Sequence, residues 1–310
     1  MATVLGIDCS TNRSNIGVEP CIVKYGKKTG HVQLAKGWSA PITDNFNKAY
    51  WNNLVQQGTA RFIGGAFGVT TEAGEPTTET SVLQKQAVTS RPLPVTTSIL
   101  KKGYEFHAGY YTDSGDDLYD VVEIYETGVL KAALSVDGTT ITGFSVGMYE
   151  VLPWEDATDS ATAQTRVMYQ MDDNQQFNTQ GVALTNLDFN PNKEINNIVD
   201  VNMSGRADAS GNKVYVKTPW LRNAQRSISG FAAANFKLYV NGVADAISGT
   251  VTLNGSNEWV ITPTATLDTN DAVIVELYDA TASPAVAVAK VGTTSPKFYA
   301  GVTPTITPSA

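Results

Sequence analysis

The chain has 310 residues, 42% hydrophobic and 17% charged, which argues against disorder and suits two domains better than one core. A net charge of −8, with Lys24, Lys27 and Lys28 as its densest basic group, argues against a protein that grips phosphate backbones. Two histidines and two cysteines, Cys9 and Cys21, give neither a metal-ligand spacing nor a disulfide framework, and no apolar run approaches the roughly 20 residues of a membrane span.

Residues 1–20 read as an irregular, Asn-rich arm. The opening Met1-Ala2-Thr3-Val4-Leu5 lacks the basic and apolar regions of a signal peptide. Leu5-Gly6-Ile7-Asp8-Cys9 is no lipobox either, so synthesis and assembly in the cytoplasm are expected. Strand-like runs follow at Cys21–Tyr25, His31–Gly37 and Arg61–Val69. The stretch Thr70–Arg91 is rich in Thr, Glu, Gln and Ser and offers no core-facing period. A connection of that length is usually functional, so it reads as an extended arm ordered against a neighbouring subunit. Thr70, Thr71, Glu72, Glu75, Thr77, Glu79, Val82 and Gln84 are its candidate contact residues.

After Pro92 and Pro94 comes the run Val95–Leu100. Lys101 to Tyr111 fits either a strand or a short helix. Leu118–Tyr125, Val129–Val136 and Thr139–Leu152 are strand candidates, and the Asp137-Gly138 pair between two of them signals a hairpin. Pro153–Ala163 is an acidic loop, Thr165–Met171 another strand, and Ile195–Met203 and Lys213–Lys217 two more. From residue 230 short strands recur at Phe236–Val240, Gly249–Leu253, Glu258–Thr262, Ala272–Tyr278, Ala285–Val291 and Lys297–Gly301, the spacing of a β-sandwich. Val273, Val275 and Leu277 define its apolar face, and Trp259 suits its core.

The expected fold class is mainly β. An N-terminal β-sandwich or barrel-like assembly domain, with a short helix and long loops, precedes a C-terminal Ig-like β-sandwich. The expected boundaries are a 1–20 arm, a 21–205 assembly domain with its 70–91 loop, a 206–229 linker, a 230–303 sandwich and a frayed 304–310 tail.

Four chemical signals fail on context. Leu5-Gly6-Ile7-Asp8-Cys9-Ser10-Thr11 is similar to the first phosphate motif of sugar kinases, yet no second phosphate or adenosine motif follows. Gly143-Phe144-Ser145-Val146-Gly147 matches the nucleophile elbow G-x-S-x-G, but His31 and His107 both precede Ser145 and the context reads as strand. Asp113, Asp116, Asp117 and Asp120 lack the spacing of a calcium loop and read as a solvated turn, as do Glu155, Asp156 and Asp159. Paired carboxylates for glycoside hydrolysis have no sequence spacing to recognise. No catalytic, cofactor-binding or metal-binding residue is expected.

Lys101-Lys102-Gly103-Tyr104-Glu105-Phe106-His107-Ala108, Tyr119-Asp120-Val121-Val122, Gln176-Phe177-Asn178 and Leu187-Asp188-Phe189-Asn190 resemble virion structural proteins of tailed phages, those infecting Bacteroidetes in particular. Ala272-Val273-Ile274-Val275-Glu276-Leu277-Tyr278-Asp279 resembles the Ig-like modules often fused to them. Within that class the arrangement is most like a major tail-tube protein. The resemblance implies a non-enzymatic subunit that forms a ring or helical homo-oligomer and contacts other virion proteins. It implies no membrane and no specific nucleic acid beyond passive conduction of DNA, with the acidic charge suiting a lumen that DNA must cross. The alternatives are a capsid auxiliary, collar or decoration protein and, in another class, a carbohydrate-binding adhesive β protein using exposed Trp and Tyr. A glycosidase comes last.

Overall fold

The computed structural model describes residues 3–6, 25–80, 86–159, 162–219, 227–282, 285–293 and 296–309. The protein is mainly β, as its sequence predicts. It divides into two compact units, one of Met1–Trp51 and Thr59–Ile195, the other of Asn52–Gly58 and Asn196–Ala310.

Unit 1 opens with β1 (Thr3–Gly6), β2 (Lys28–Ala35) and β3 (Ser39–Pro41). Helix α1 (Lys48–Gln56) starts where the Asn47 side chain accepts the Tyr50 backbone N–H at 2.9 Å, an N-cap bond. Only its first turn, to Trp51, belongs to this unit. Next come β4 (Ala60–Ile63), β5 (Gly68–Glu72), β6 (Thr77–Thr80), β7 (Gln86–Ser90), β8 (Val95–Leu100), helix α2 (Tyr104–Tyr110) and β9 (Gly115–Asp116). The unit closes with β10 (Tyr119–Tyr125), β11 (Leu130–Leu134), β12 (Thr140–Thr142), β13 (Phe144–Val151), β14 (Thr165–Met171), helix α3 (Asn174–Thr179) and β15 (Gly181–Thr185).

The sheet forks at β10. One edge of β10 pairs with β2 along its whole length, whereas the other is shared, Asp120 and Val121 pairing with β13 and Glu123 and Ile124 with β11. The first branch runs β10-β13-β14-β8-β5 and curls back to β2, where Ala66 N donates to Thr29 O at 2.8 Å and Lys28 Nζ to Thr71 Oγ1 at 2.8 Å. This branch is therefore barrel-like. Its inward face alternates along β14 (Thr165, Val167, Tyr169, Met171 buried) and β8 (Thr96, Ser98, Leu100 buried), the period of two that strands require. The second branch runs β11-β15-β1, with β12 paired to β11 and β3 to β12. Trp38, Phe46, Trp51 and Phe62 meet in one aromatic cluster, with Trp51 edge-on to Phe62 at 5.5 Å between centroids.

Unit 2 contains β16 (Ile198–Asp200), β17 (Ser204–Asp208), β18 (Lys213–Lys217), β19 (Phe236–Val240), β20 (Val243–Asp245) and β21 (Thr252–Leu253). It continues with β22 (Trp259–Ile261), β23 (Val273–Leu277), β24 (Ala289–Val291), β25 (Lys297–Ala300) and β26 (Pro308–Ser309). One sheet is ordered β21-β22-β18-β17-β26, another β20-β19-β23, and a third β16-β25-β24. Val214, Val216, Trp259 and Ile261 from the first share one core with Phe236, Leu238, Val273, Val275 and Leu277 from the second, which makes the unit a sandwich. Trp259 is buried and its indole N–H reaches Ile228 O at 3.1 Å.

Several expected boundaries move. The division falls after Ile195, not at 205, and unit 2 recruits Asn52–Gly58 from far upstream. The stretch expected as a 206–229 linker holds most of β17 and all of β18, two strands of the first sheet. The tail is not frayed: β26 pairs in parallel with β17, and Ile306 is buried. The N-terminal arm contributes β1, which pairs with β15, while residues 7–20 lie outside the described residues, as do 21–24 of the strand expected at Cys21–Tyr25. Lys101–Tyr111 resolves as helix α2, burying His107 and Tyr110 three residues apart.

Candidate functional site

Much of the arm expected at Thr70–Arg91 is strand: among its described residues, those up to Glu72 belong to β5, Thr77–Thr80 form β6 and Gln86–Ser90 form β7. Its first part, β5, is the last strand of the barrel branch, with Thr70 opposite Thr97, Thr71 opposite Thr96 and Glu72 opposite Val95. The Thr71 hydroxyl is 2.9 Å from that of Thr96. Thr70 and Thr71 are thus edge positions of the barrel. The chain then continues as a ribbon: a Cβ at Gly74 would stand 3.1 Å from the Pro92 ring, and beyond this point, among the described residues, β6 pairs only with β7, Thr77 opposite Ser90 and Glu79 opposite Ala87. Residues 70–78 are all exposed, Glu72 and Glu75 among them. Val82 and Gln84 lie outside the described residues. A two-stranded hairpin is marginal in water by itself and gains stability from a third strand or a packing surface.

The barrel interior holds an unusual load of polar groups. Glu123 is wholly buried, ion-paired to Lys28 Nζ at 2.5 Å and accepting the Tyr125 hydroxyl at 2.8 Å. His31 Nε2 lies 2.7 Å from the Tyr149 hydroxyl, which in turn bonds the Tyr110 hydroxyl. Burial, with Lys28 adding, pushes His31 down to about 3, so the imidazole is neutral. Burial and the Glu123 charge drive the Tyr125 phenol well up. Such a network fixes strand partners in a core that apolar side chains alone would leave less specified. Sequence reasoning left His31 as structural, and its burial agrees; its partners, more than 100 positions away, carry no sequence signal.

Among the described residues, the chemical candidates do not assemble into a reactive centre. Ser145 lies within β13, opposite Asp120, and not on a strand-to-helix turn. A Cβ at Gly143 would stand 2.7 Å from Asp120 Cβ and 3.1 Å from Val121 N, so this glycine is there for close strand approach. Gly147 sits at the bulge between Val146 and Met148. Lys36 Nζ donates to Ser145 Oγ at 2.9 Å and pairs with Asp117 at 2.6 Å and Asp120 at 3.6 Å. An ammonium so engaged donates to the hydroxyl and takes no proton from it. The acidic cluster disperses: Asp113 pairs with Arg61, Asp117 and Asp120 with Lys36, and Asp120 accepts Gly37 N–H at 2.8 Å. Burial chiefly raises the Asp120 carboxyl. Glu155 pairs with Arg166 at 2.6 Å. Among the described residues no group of three His, Cys, Asp or Glu could hold a metal ion. Leu5 and Gly6 of the kinase-like motif lie in β1, and Asp8–Thr11 lie outside the described residues.

Two surface features remain. A cleft of about 470 Å³ lined by Glu126–Val129, Asn186–Asn190 and Glu194 is polar, and two of its carboxylates are occupied. Lys48 N donates to Asp188 at 2.8 Å and Lys48 Nζ pairs with Glu194 at 3.1 Å. Beside helix α2, Tyr104 stands edge-on to Trp154 at 88°, and both rings flank His107. Sugar stacking uses a flat aromatic face, and two rings at right angles do not extend one another into a platform. Phe67, one residue before β5, carries Lys101 Nζ 3.5 Å from its ring centroid.

Compared with models of known protein families and with curated proteins, the sequence matches none.

Proposed function

We propose that this chain is a non-enzymatic virion structural protein of a tailed phage that self-assembles into rings or a helix, as the tail tube. The observation that carries the reading is the ribbon: β5 and β8 run out of the barrel as β6 and β7, which among the described residues pair only with each other, and residues 70–78 along the way are exposed. A subunit that completes its neighbours is a physical reason for such an element. The dispersal of Ser145, Lys36 and the aspartates into ordinary ion pairs supports a subunit whose work is interface burial. The sandwich of unit 2 suits an Ig-like module on the outside of the assembly, and the net charge of −8 suits a lumen along which DNA slides without sticking.

Negative-stain electron microscopy of the purified full chain, concentrated at neutral pH, tests this. Stacked rings or tubes are expected, and deletion of residues 73–91 with a short turn in their place stops elongation. Uniform monomers at every concentration overturn autonomous tube formation and shift the reading to a decoration protein that needs its capsid.

A further inference from the structure

We infer that Lys131 is a site of covalent modification, an amine held against two phenylalanine rings of unit 1 that accepts acyl groups from thioesters. The inference stands independently of the assembly reading.

Lys131 is the second residue of β11. Its Nζ stands 4.2 Å from the ring centroid of Phe177 in α3 and 5.3 Å from that of Phe144 in β13. The two rings meet edge-on at 5.4 Å and form one apolar wall. Helix α3 brings no charged side chain to it. Of the strands beside β11, β15 places Ala183 opposite Lys131 and β10 places Glu123 there. Glu123 is already engaged, paired with Lys28 Nζ at 2.5 Å and accepting the Tyr125 hydroxyl at 2.8 Å. Among the described residues Lys131 Nζ is left with ring faces and no hydrogen-bond acceptor of its own. The Lys28 ammonium lies 5.9 Å from the same Phe177 centroid, so two cations face one ring.

An amine attacks only as its free base, and two settings favour that form: an apolar surround and a second cation nearby. Lys131 has both. Burial holds its ammonium below the ordinary lysine value, Glu123 pulls the other way and Lys28 adds to the depression. The residue is half-buried, and its nitrogen is not among the sealed, unpartnered polar atoms of the unit, so a small reagent reaches it. In the step itself the free-base Nζ attacks the acyl carbon of the thioester. The C–N bond forms, the C–S bond breaks, and the proton shed by the nitrogen ends on the departing sulfur.

Acetylation of the full chain by the small thioester S,N-diacetylcysteamine, located by mass spectrometry after digestion, tests this. The reference is a synthetic peptide of residues 127–135, in which Lys131 meets only water. At pH 7 the folded chain should react severalfold faster at Lys131 than the peptide does. That ratio should fall as pH rises into the ordinary lysine range, where both amines are free base and burial only hinders access. A ratio that does not change with pH overturns the inference, as does a Lys131 left unmodified throughout. Phe177→Ser admits water to the rings, and Lys28→Met hands Glu123 to Lys131, so each should bring the pH 7 rate down toward the peptide's. A variant that is folded by circular dichroism yet keeps the wild-type ratio overturns the role of these neighbours. If neither variant folds, the wild-type ratio decides by itself.

Discussion

Gln56 Nε2 donates a 2.7 Å hydrogen bond to Asp279 Oδ2, joining positions 223 residues apart. Both belong to unit 2, and Gln56 also reaches Val288 O at 3.3 Å. Asp279 accepts Thr281 N at 2.8 Å and Thr281 Oγ1 at 2.6 Å as well. The second half of helix α1 is thus a structural part of a body formed otherwise by residues beyond 195.

Replacing Gln56 with Ala should cost about 1.5–3 kcal/mol, the range for a hydrogen bond to a charged group. Urea unfolding at pH 7 measures it. Burial pushes the Asp279 carboxyl up, but the bonds from Thr281 and Gln56 outweigh it and hold it below the usual carboxylate range. Stability from this group is present above its unfolded pKa and is lost as pH falls through the folded value. The Gln56→Ala penalty should therefore shrink in strong acid.

His31 makes the barrel acid-sensitive. Its ordinary value of 6.5 falls to about 3 in the fold. Between those values the unfolded chain binds a proton that the folded one excludes, so stability drops by about 1.4 kcal/mol per pH unit as pH falls. Above pH 6.5 the effect vanishes. His31→Gln should flatten the wild-type slope by that amount when unfolding free energies are compared from pH 7 to pH 4.5.

The Lys28–Glu123 pair should behave as a unit. Lys28→Met alone leaves the buried Glu123 carboxylate to its cross-strand neighbour Lys131 and is expected to cost up to about 3–5 kcal/mol. Adding Glu123→Leu to it should recover part of that loss. A double-mutant cycle in denaturant tests the coupling, and additive single effects would count against it.

Around the G-x-S-x-G stretch the glycine should matter and the serine should not. Gly143→Ala drives a Cβ into Asp120 and the Val121 backbone and should destabilise by about 1–3 kcal/mol. Ser145→Ala should cost less than about 1 kcal/mol, because it removes only half-exposed contacts to Lys36 and Asp172. A fluorophosphonate probe should leave Ser145 unlabelled; labelling would reinstate the nucleophile.

What the sequence made legible was local. Thr165–Met171 is a strand to the residue because its alternation is clean, and Asp137-Gly138 turns a hairpin because Gly138 sits at φ 71°. Lys101–Tyr111 was ambiguous because Tyr104, Phe106, Ala108 and Tyr110 alternate like a strand, and only the burial of His107 with Tyr110 decides for a helix. The arm was visible as a stretch without a core face, but its strands were not. Residues 70–78 are exposed without a break, so no alternation marks them. Long-range partners left no trace at all. Nothing in the chain around His31 announces Tyr149, and nothing around Gln56 announces Asp279. A unit boundary crossed more than once is equally silent, because composition shifts only where the chain leaves a body for good.

The discontinuity of unit 2 also sets an order of events during synthesis. Residues 52–58 leave the ribosome well before residue 196 is made, and a gap of roughly 140 residues takes on the order of ten seconds at ordinary elongation rates. Throughout that interval Gln56 has no Asp279 to meet, so the nascent chain carries a helix whose second half waits for its body. Folding of unit 2 therefore has to wait for the strands beyond residue 195, which meet a segment made long before them.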